Sequence, residues 1–229
     1  MRRRIVGGVA LGILAGLLSG WPEAAAERNT PLLIADFNFP QQNSLFRNAL
    51  GGSFQPWMLM QDCWIRQAFL QEDALSGDGG EALQLTYSLD AVPYFNGWSM
   101  FLSADERGAI DLRGYDRLGF FARGTTGFVI EVKDRTSRDD GSPEGVAQHT
   151  VERLPSDWRQ IEVRFDQFEP KRPAGRIDWA GIRQLVIVFS DLRSAREGYV
   201  VLDQLYVSRG PAAFRAPDEG MTLAGQDAP

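Results

Sequence analysis

The chain of 229 residues contains one cysteine, Cys63, and one histidine, His149. A lone cysteine forms no internal disulfide, and a lone histidine leaves little for a zinc site or a histidine-based triad. Lysine is almost missing as well: Lys133 and Lys171 are the only two, and every other base is an arginine. There is no basic excess. The 24 Lys plus Arg face 30 Asp plus Glu, a formal net charge of −6. Such a balance offers no electrostatic footprint for phosphates, which excludes nucleic acid as a partner. Long helical periodicities, repeats at solenoid or propeller period, and a G-x-S-x-G nucleophile elbow are all absent.

What remains is an ordinary globular composition, 44% hydrophobic and 11% aromatic, framed by two unusual ends. Arg2, Arg3 and Arg4 precede an uncharged apolar run from Ile5 to Trp21, and Ala24-Ala25-Ala26 supplies small residues for cleavage. Residues 1–26 therefore read as a secretory signal, so the product is exported, periplasmic or secreted. The alternative is an uncleaved anchor, the one route by which this chain meets a membrane. Residues 210–229 are rich in Ala, Gly and Pro without apolar periodicity and read as a disordered tail. One domain, residues 27–209, lies between.

Within that domain apolar residues come in short bursts bounded by Gly, Pro, Asn and Asp. Strands are expected near 32–39, 64–70, 82–89, 98–102, 117–123, 128–133, 148–153, 159–165, 184–189 and 199–207. Ile161, Val163 and Phe165 alternate with Gln160, Glu162 and Arg164, the pattern of a strand with one face in a core and one in water. Leu83, Leu85, Tyr87 and Leu89 alternate in the same way, as do Phe128, Ile130 and Val132. About ten short strands without βαβ alternation predict an all-β fold, an antiparallel β-sandwich of jelly-roll type. Two polar stretches, 134–146 and 170–178, read as surface loops, and 178–182 as one helical turn.

Several segments carry a resemblance. They begin with Ile34-Ala35-Asp36-Phe37 and Asn48-Ala49-Leu50-Gly51-Gly52-Ser53, then Ala82-Leu83-Gln84-Leu85-Thr86-Tyr87 and Phe95-Asn96-Gly97-Trp98. Ile110-Asp111-Leu112-Arg113-Gly114-Tyr115-Asp116-Arg117-Leu118-Gly119-Phe120 and Ala122-Arg123-Gly124 follow. Phe128 to Asp134, Trp158 to Val163 and Val201 to Val207 close the series. In order and spacing the chain resembles the galactose-binding-like jelly rolls, in particular family 11 carbohydrate-binding modules and the related domain of complex I intermediate-associated protein 30.

The resemblance implies a structural calcium ion between the first and last strands, with Asp36 and Asp203 as carboxylates and carbonyls of the 77–80 loop completing the shell. The alternative is that Asp203 bonds a turn amide and Asp36 faces water. A sugar site needs flat aromatic faces and fixed polar groups. Strand parity puts Phe121 with Arg123, Glu131 with Lys133, and Gln160 with Glu162 on the non-core side, read as one concave face. Trp57, Tyr94 and Trp98 are the aromatic candidates to flank it. The competing readings are a tryptophan-filled core and a solvated sheet with cross-strand ion pairs. The expected function is an exported, non-catalytic binder of a polysaccharide or envelope glycan. The alternative is a scaffold or assembly subunit holding an envelope protein partner, and a polysaccharide hydrolase ranks third.

Overall fold

The computed structural model describes residues 30–38, 46–58, 63–71, 74–75, 80–90, 95–138 and 142–212. The expected signal, Tyr94, residues 77–79 of the glycine-rich loop and all but the start of the expected tail lie outside them.

Two antiparallel sheets pack face to face. The first runs β3 (Cys63–Leu70), β4 (Ala82–Leu89), β12 (Glu197–Ser208), β6 (Arg117–Gly124), β9 (Arg159–Arg164), and β1 (Leu32–Ala35) also pairs with β12. The second runs β10 (Glu169–Pro170), β8 (Val146–Val151), β7 (Phe128–Asp134), β11 (Ile182–Ser190), β5 (Phe95–Phe101), β2 (Phe54–Met58). This is the expected all-β jelly-roll sandwich.

Alternation sets which side chains meet between the sheets. Leu83, Leu85, Tyr87 and Leu89 of β4 are in the core, as are Leu185, Ile187 and Phe189 of β11. The rings of Tyr87 and Phe189 stack across the sheets with centroids 4.0 Å apart. Each fully buried Leu, Ile or Phe here contributes about 1.5–3 kcal/mol relative to exposure. Cys63 is buried among them as a small apolar residue. Trp98 also belongs to this core: it is 1% exposed, its ring meets Phe37 edge-on, and its indole N–H donates to Gln67 Oε1 at 3.0 Å. It therefore flanks no site, because its parity in β5 points inward.

Three local departures from the sequence reading have physical causes. β2 was not expected because Pro56 interrupts its pattern; it pairs only with β5, and an edge position is where a strand tolerates proline. β10 adds two residues at the opposite edge, inside a stretch read as loop. Residues 178–182 make a tight turn rather than a helical one, closed by Gly181 N–H on Asp178 O at 2.9 Å.

A bulge matters more for the outer surface. Between Asp203 and Tyr206, β12 spends three steps against two on β6, with Gln204 at φ 50°. The extra residue inverts the parity of the strand. Val200 and Leu202 point inward before it and Val207 after it, so Asp203 and Tyr206 both lie on the outer side.

Candidate functional site

The residues read from the sequence as one concave face divide between two sheets. Phe121 and Arg123 lie on β6 and Gln160 and Glu162 on β9, all on the outer face of the first sheet. Glu131 and Lys133 lie on β7, on the outer face of the second. Parity can say that residues share a side of a strand; it cannot say which sheet the strand joins.

On the first sheet the outer polar groups are committed to the chain itself. Tyr206 lies over Gly119, where an added Cβ would sit 2.1 Å from the ring. Its hydroxyl accepts from Gln160 Nε2 at 2.8 Å and donates to Glu162 Oε1 at 3.2 Å. The chain leaving β12 crosses above: Ala212 N–H donates to Glu162 Oε1 at 2.8 Å, and Gln160 Nε2 reaches Ala212 O at 3.3 Å. Glu162 also pairs with Arg117 at 3.3 Å, and the Arg123 guanidinium stacks on Trp158 at 5.3 Å. Phe121 and Tyr206 are buried, and burial pushes the Tyr206 hydroxyl pKa up. This face is a clasp.

The outer face of the second sheet is different. Pairing aligns Gln55, Ser99, Val186, Glu131, Gln148 and Glu169 in one row across all six strands. Five inter-strand steps make that row about 24 Å long. Val129 and Val186 point away from the core yet are 8% and 2% exposed, so the centre of the face is recessed. Among the described residues, the side chains of Gln55, Ser99, Gln148, Gln184 and Glu169 bond to no other residue. At the β2 edge Trp57 lies over Gly97, whose hypothetical Cβ would sit 2.5 Å from the indole. Phe95 meets Trp57 edge-on at 5.9 Å and is 40% exposed, and the Trp57 indole N–H has no hydrogen-bond partner among the described residues. Near the other edge Lys171 pairs with Glu131, a carboxylate whose side chain is 8% exposed. The ammonium compensates a charge that would be costly to bury alone.

Of the residues singled out in the sequence, Trp57, Glu131 and Lys133 thus share this face, and Gln55, Phe95, Gly97, Ser99, Gln148, Glu169 and Lys171 join them. Phe95, Gly97 and Ser99 follow once the structure sets Trp98 inward, because residues at odd spacing from it along β5 face out. Lys171 and Glu169 carried no signal, because β10 exists only through its pairing with β8.

Asp36 and Asp203 form a second locus, beside the first sheet. Asp203 is fully buried; its Oδ2 accepts the Leu75 N–H at 2.9 Å and its Oδ1 the Gln204 N–H at 2.7 Å. Burial pushes its pKa up to about 7, the two N–H bonds oppose that, and the nearby Asp36 charge adds to it. Asp36 Oδ1 accepts from Asn38 N–H at 3.2 Å. Phe37 and Gln204, each next to one of these acids, have φ of 57° and 50°, a left-handed conformation that costs energy in a side chain of this size. Among the described residues no third Asp, Glu, His or Cys joins them.

The two sheets together form a jelly-roll β-sandwich. No protein-family model matches the sequence, and no curated protein is significantly similar to it. Among solved structures the chain is similar to the family 11 carbohydrate-binding module from Clostridium thermocellum in complex with a β-1,3-1,4-mixed-linked tetrasaccharide. The identity is 14% and the TM-score 0.56, over 79% of this chain and 96% of that one. It is likewise similar to CtCBM11 in solution, at 13% identity and TM-score 0.57, over 80% and 97%. An exo-β-agarase matches at 11% identity and TM-score 0.51, over 79% of this chain and 25% of the agarase. Identities this low establish the shared fold alone.

Proposed function

We propose that the outer face of the second sheet is a carbohydrate-binding groove, and that the protein is an exported, non-catalytic binder of a polysaccharide or envelope glycan. The observation that carries this is a row of amides, a hydroxyl and a carboxylate that bond to no other described residue, beside the ring of Trp57 laid over Gly97. Hydroxyl-rich ligands need such groups held in place, and the apolar side of a pyranose needs a flat ring. A row about 24 Å long fits a chain of sugars laid across the strands. The reading is supported by the similar family 11 module having been solved with a tetrasaccharide. Calorimetric titration against a panel of neutral and acidic glycans tests it: binding that Trp57→Ala weakens about tenfold or more is expected, and absence of binding to every glycan overturns it. A scaffold role would call for an exposed flat apolar patch; on this face Val186 is buried and Val188 half-buried. Export is tested by sequencing the N-terminus of the protein recovered from the envelope or medium, which is expected to begin after Ala26.

We also propose that Asp36 and Asp203 hold a structural calcium ion. Two neighbouring carboxylates without a cationic partner among the described residues, each beside a strained backbone residue, fit a cation better than they fit one another. Calcium takes six to eight oxygens, so backbone carbonyls must supply the remainder. A melting temperature unchanged by chelator rejects the ion.

A further inference from the structure

Resting on the groove reading, we propose that a cavity at the β10 end of the face receives an anionic group of the bound glycan, making an acidic polysaccharide the ligand class. The cavity holds about 110 Å³ and opens between Val146, at the start of β8, and the turn that follows β10. At roughly 30 Å³ per liquid water, that is room for a substituent and not for a whole sugar ring.

The turn brings two guanidiniums to this cavity. Gly175 N–H donates to Arg172 O at 2.9 Å and Ala174 has φ 59°, so the chain reverses within four residues and both Arg172 and Arg176 line the space. Lys171 N–H donates to Val146 O at 2.9 Å, which continues the β10 ladder and fixes the turn against the sheet. Glu144 lines the same wall and meets Arg172 at 3.4 Å. Arg176 is exposed and pairs with no acid among the described residues, whereas Arg172 is answered by Glu144. In the neighbouring part of the groove Lys171 is answered by Glu131. Both lysines of an otherwise arginine-based chain, Lys133 and Lys171, stand here, the first paired in register with Val146. A guanidinium donates two parallel N–H bonds to two oxygens of a carboxylate or a sulfate. Trp57 stands at the opposite edge of the sheet, so a ligand touching both is an oligosaccharide with a sugar face at one end and an anion at the other.

The shared chemistry is a carboxylate or sulfate ester on a polysaccharide, and paired substrates separate the two. The full chain is run in affinity gels containing polygalacturonate or alginate, each beside its carboxyl-reduced form, and a sulfated galactan beside its desulfated form. At least one acidic polymer is expected to bind roughly tenfold more tightly than its neutral counterpart. Arg176→Gln is expected to erase that margin while leaving the neutral form's affinity unchanged, and Glu144→Gln to widen it. Equal binding of acidic and neutral partners, or an equal loss for both in Arg176→Gln, overturns the anion site while the groove stands. Binding to none of the six polymers or to any neutral glycan overturns both.

Discussion

The two outer faces of this sandwich use the same device for opposite ends. Each lays one aromatic ring over a glycine, Tyr206 over Gly119 on the first sheet and Trp57 over Gly97 on the second. Tyr206 is then sealed: fully buried, its hydroxyl held by Gln160 and Glu162, with Ala212 bonded to the same two side chains. Trp57 bonds its N–H to no described residue and has an exposed neighbour in Phe95. Around Tyr206 the polar groups are spent on the protein; along the row from Gln55 to Glu169 most bond to no other described residue. The difference teaches that an aromatic ring on a sheet face is not by itself a binding platform. Its role depends on whether the chain returns to cover it.

Replacing the two rings gives the sharpest test of that contrast. Tyr206→Ala should cost about 4 kcal/mol of stability, because it empties a buried volume and strands Gln160 and Glu162. Trp57→Ala should leave the denaturation midpoint nearly unchanged and weaken glycan binding about tenfold or more. A large stability loss in Trp57→Ala would erase the distinction between clasp and groove.

The next effect concerns the acid on the clasped side. In chelator, Asp203 titrates in the folded protein near pH 7, whereas unfolded it takes the ordinary carboxylate value of 3.8. Between those values the native state holds the extra proton. Its contribution to stability should therefore be complete below about pH 4, fall by a few kcal/mol as pH rises to about 7, and level off above, opposite in sign to that of Asp111, Asp116 and Asp178, whose carboxyls sit below the ordinary value. Calcium should reverse the loss at neutral pH, and thermal melts across pH with and without calcium check both. The smallest effect belongs to the groove: Lys171→Ala leaves Glu131 unpaired and should cost about 1–2 kcal/mol, discounted because the ammonium is partly solvated. Urea titration of that variant measures it.

The strands were legible wherever apolar and polar residues alternate strictly, as in β4, β7 and β9. They were illegible at the edges, where Pro56 breaks the pattern of β2 and β10 has only two residues. Among candidate site residues, Trp57, Glu131 and Lys133 were found together with Phe121, Arg123, Gln160 and Glu162 because all face away from a core. Only the pairing of β6 with β9 and of β7 with β11 separates them. Trp98 was misread because an isolated Trp near a strand start has no assigned parity until the strand's pairing is known.

The sequence by itself determined a lone cysteine and histidine, an acidic balance, and a run of short alternating strands that must form a two-sheet β-sandwich. Those follow from composition and from a period of two, which are local properties. Tertiary structure alone decided which outer face is covered and which is open. That outcome depends on a one-residue bulge in β12, on where residues 210–212 cross, and on which edge β10 joins. Each of these brings together residues far apart in the chain, and alternation along a strand carries no record of its neighbours.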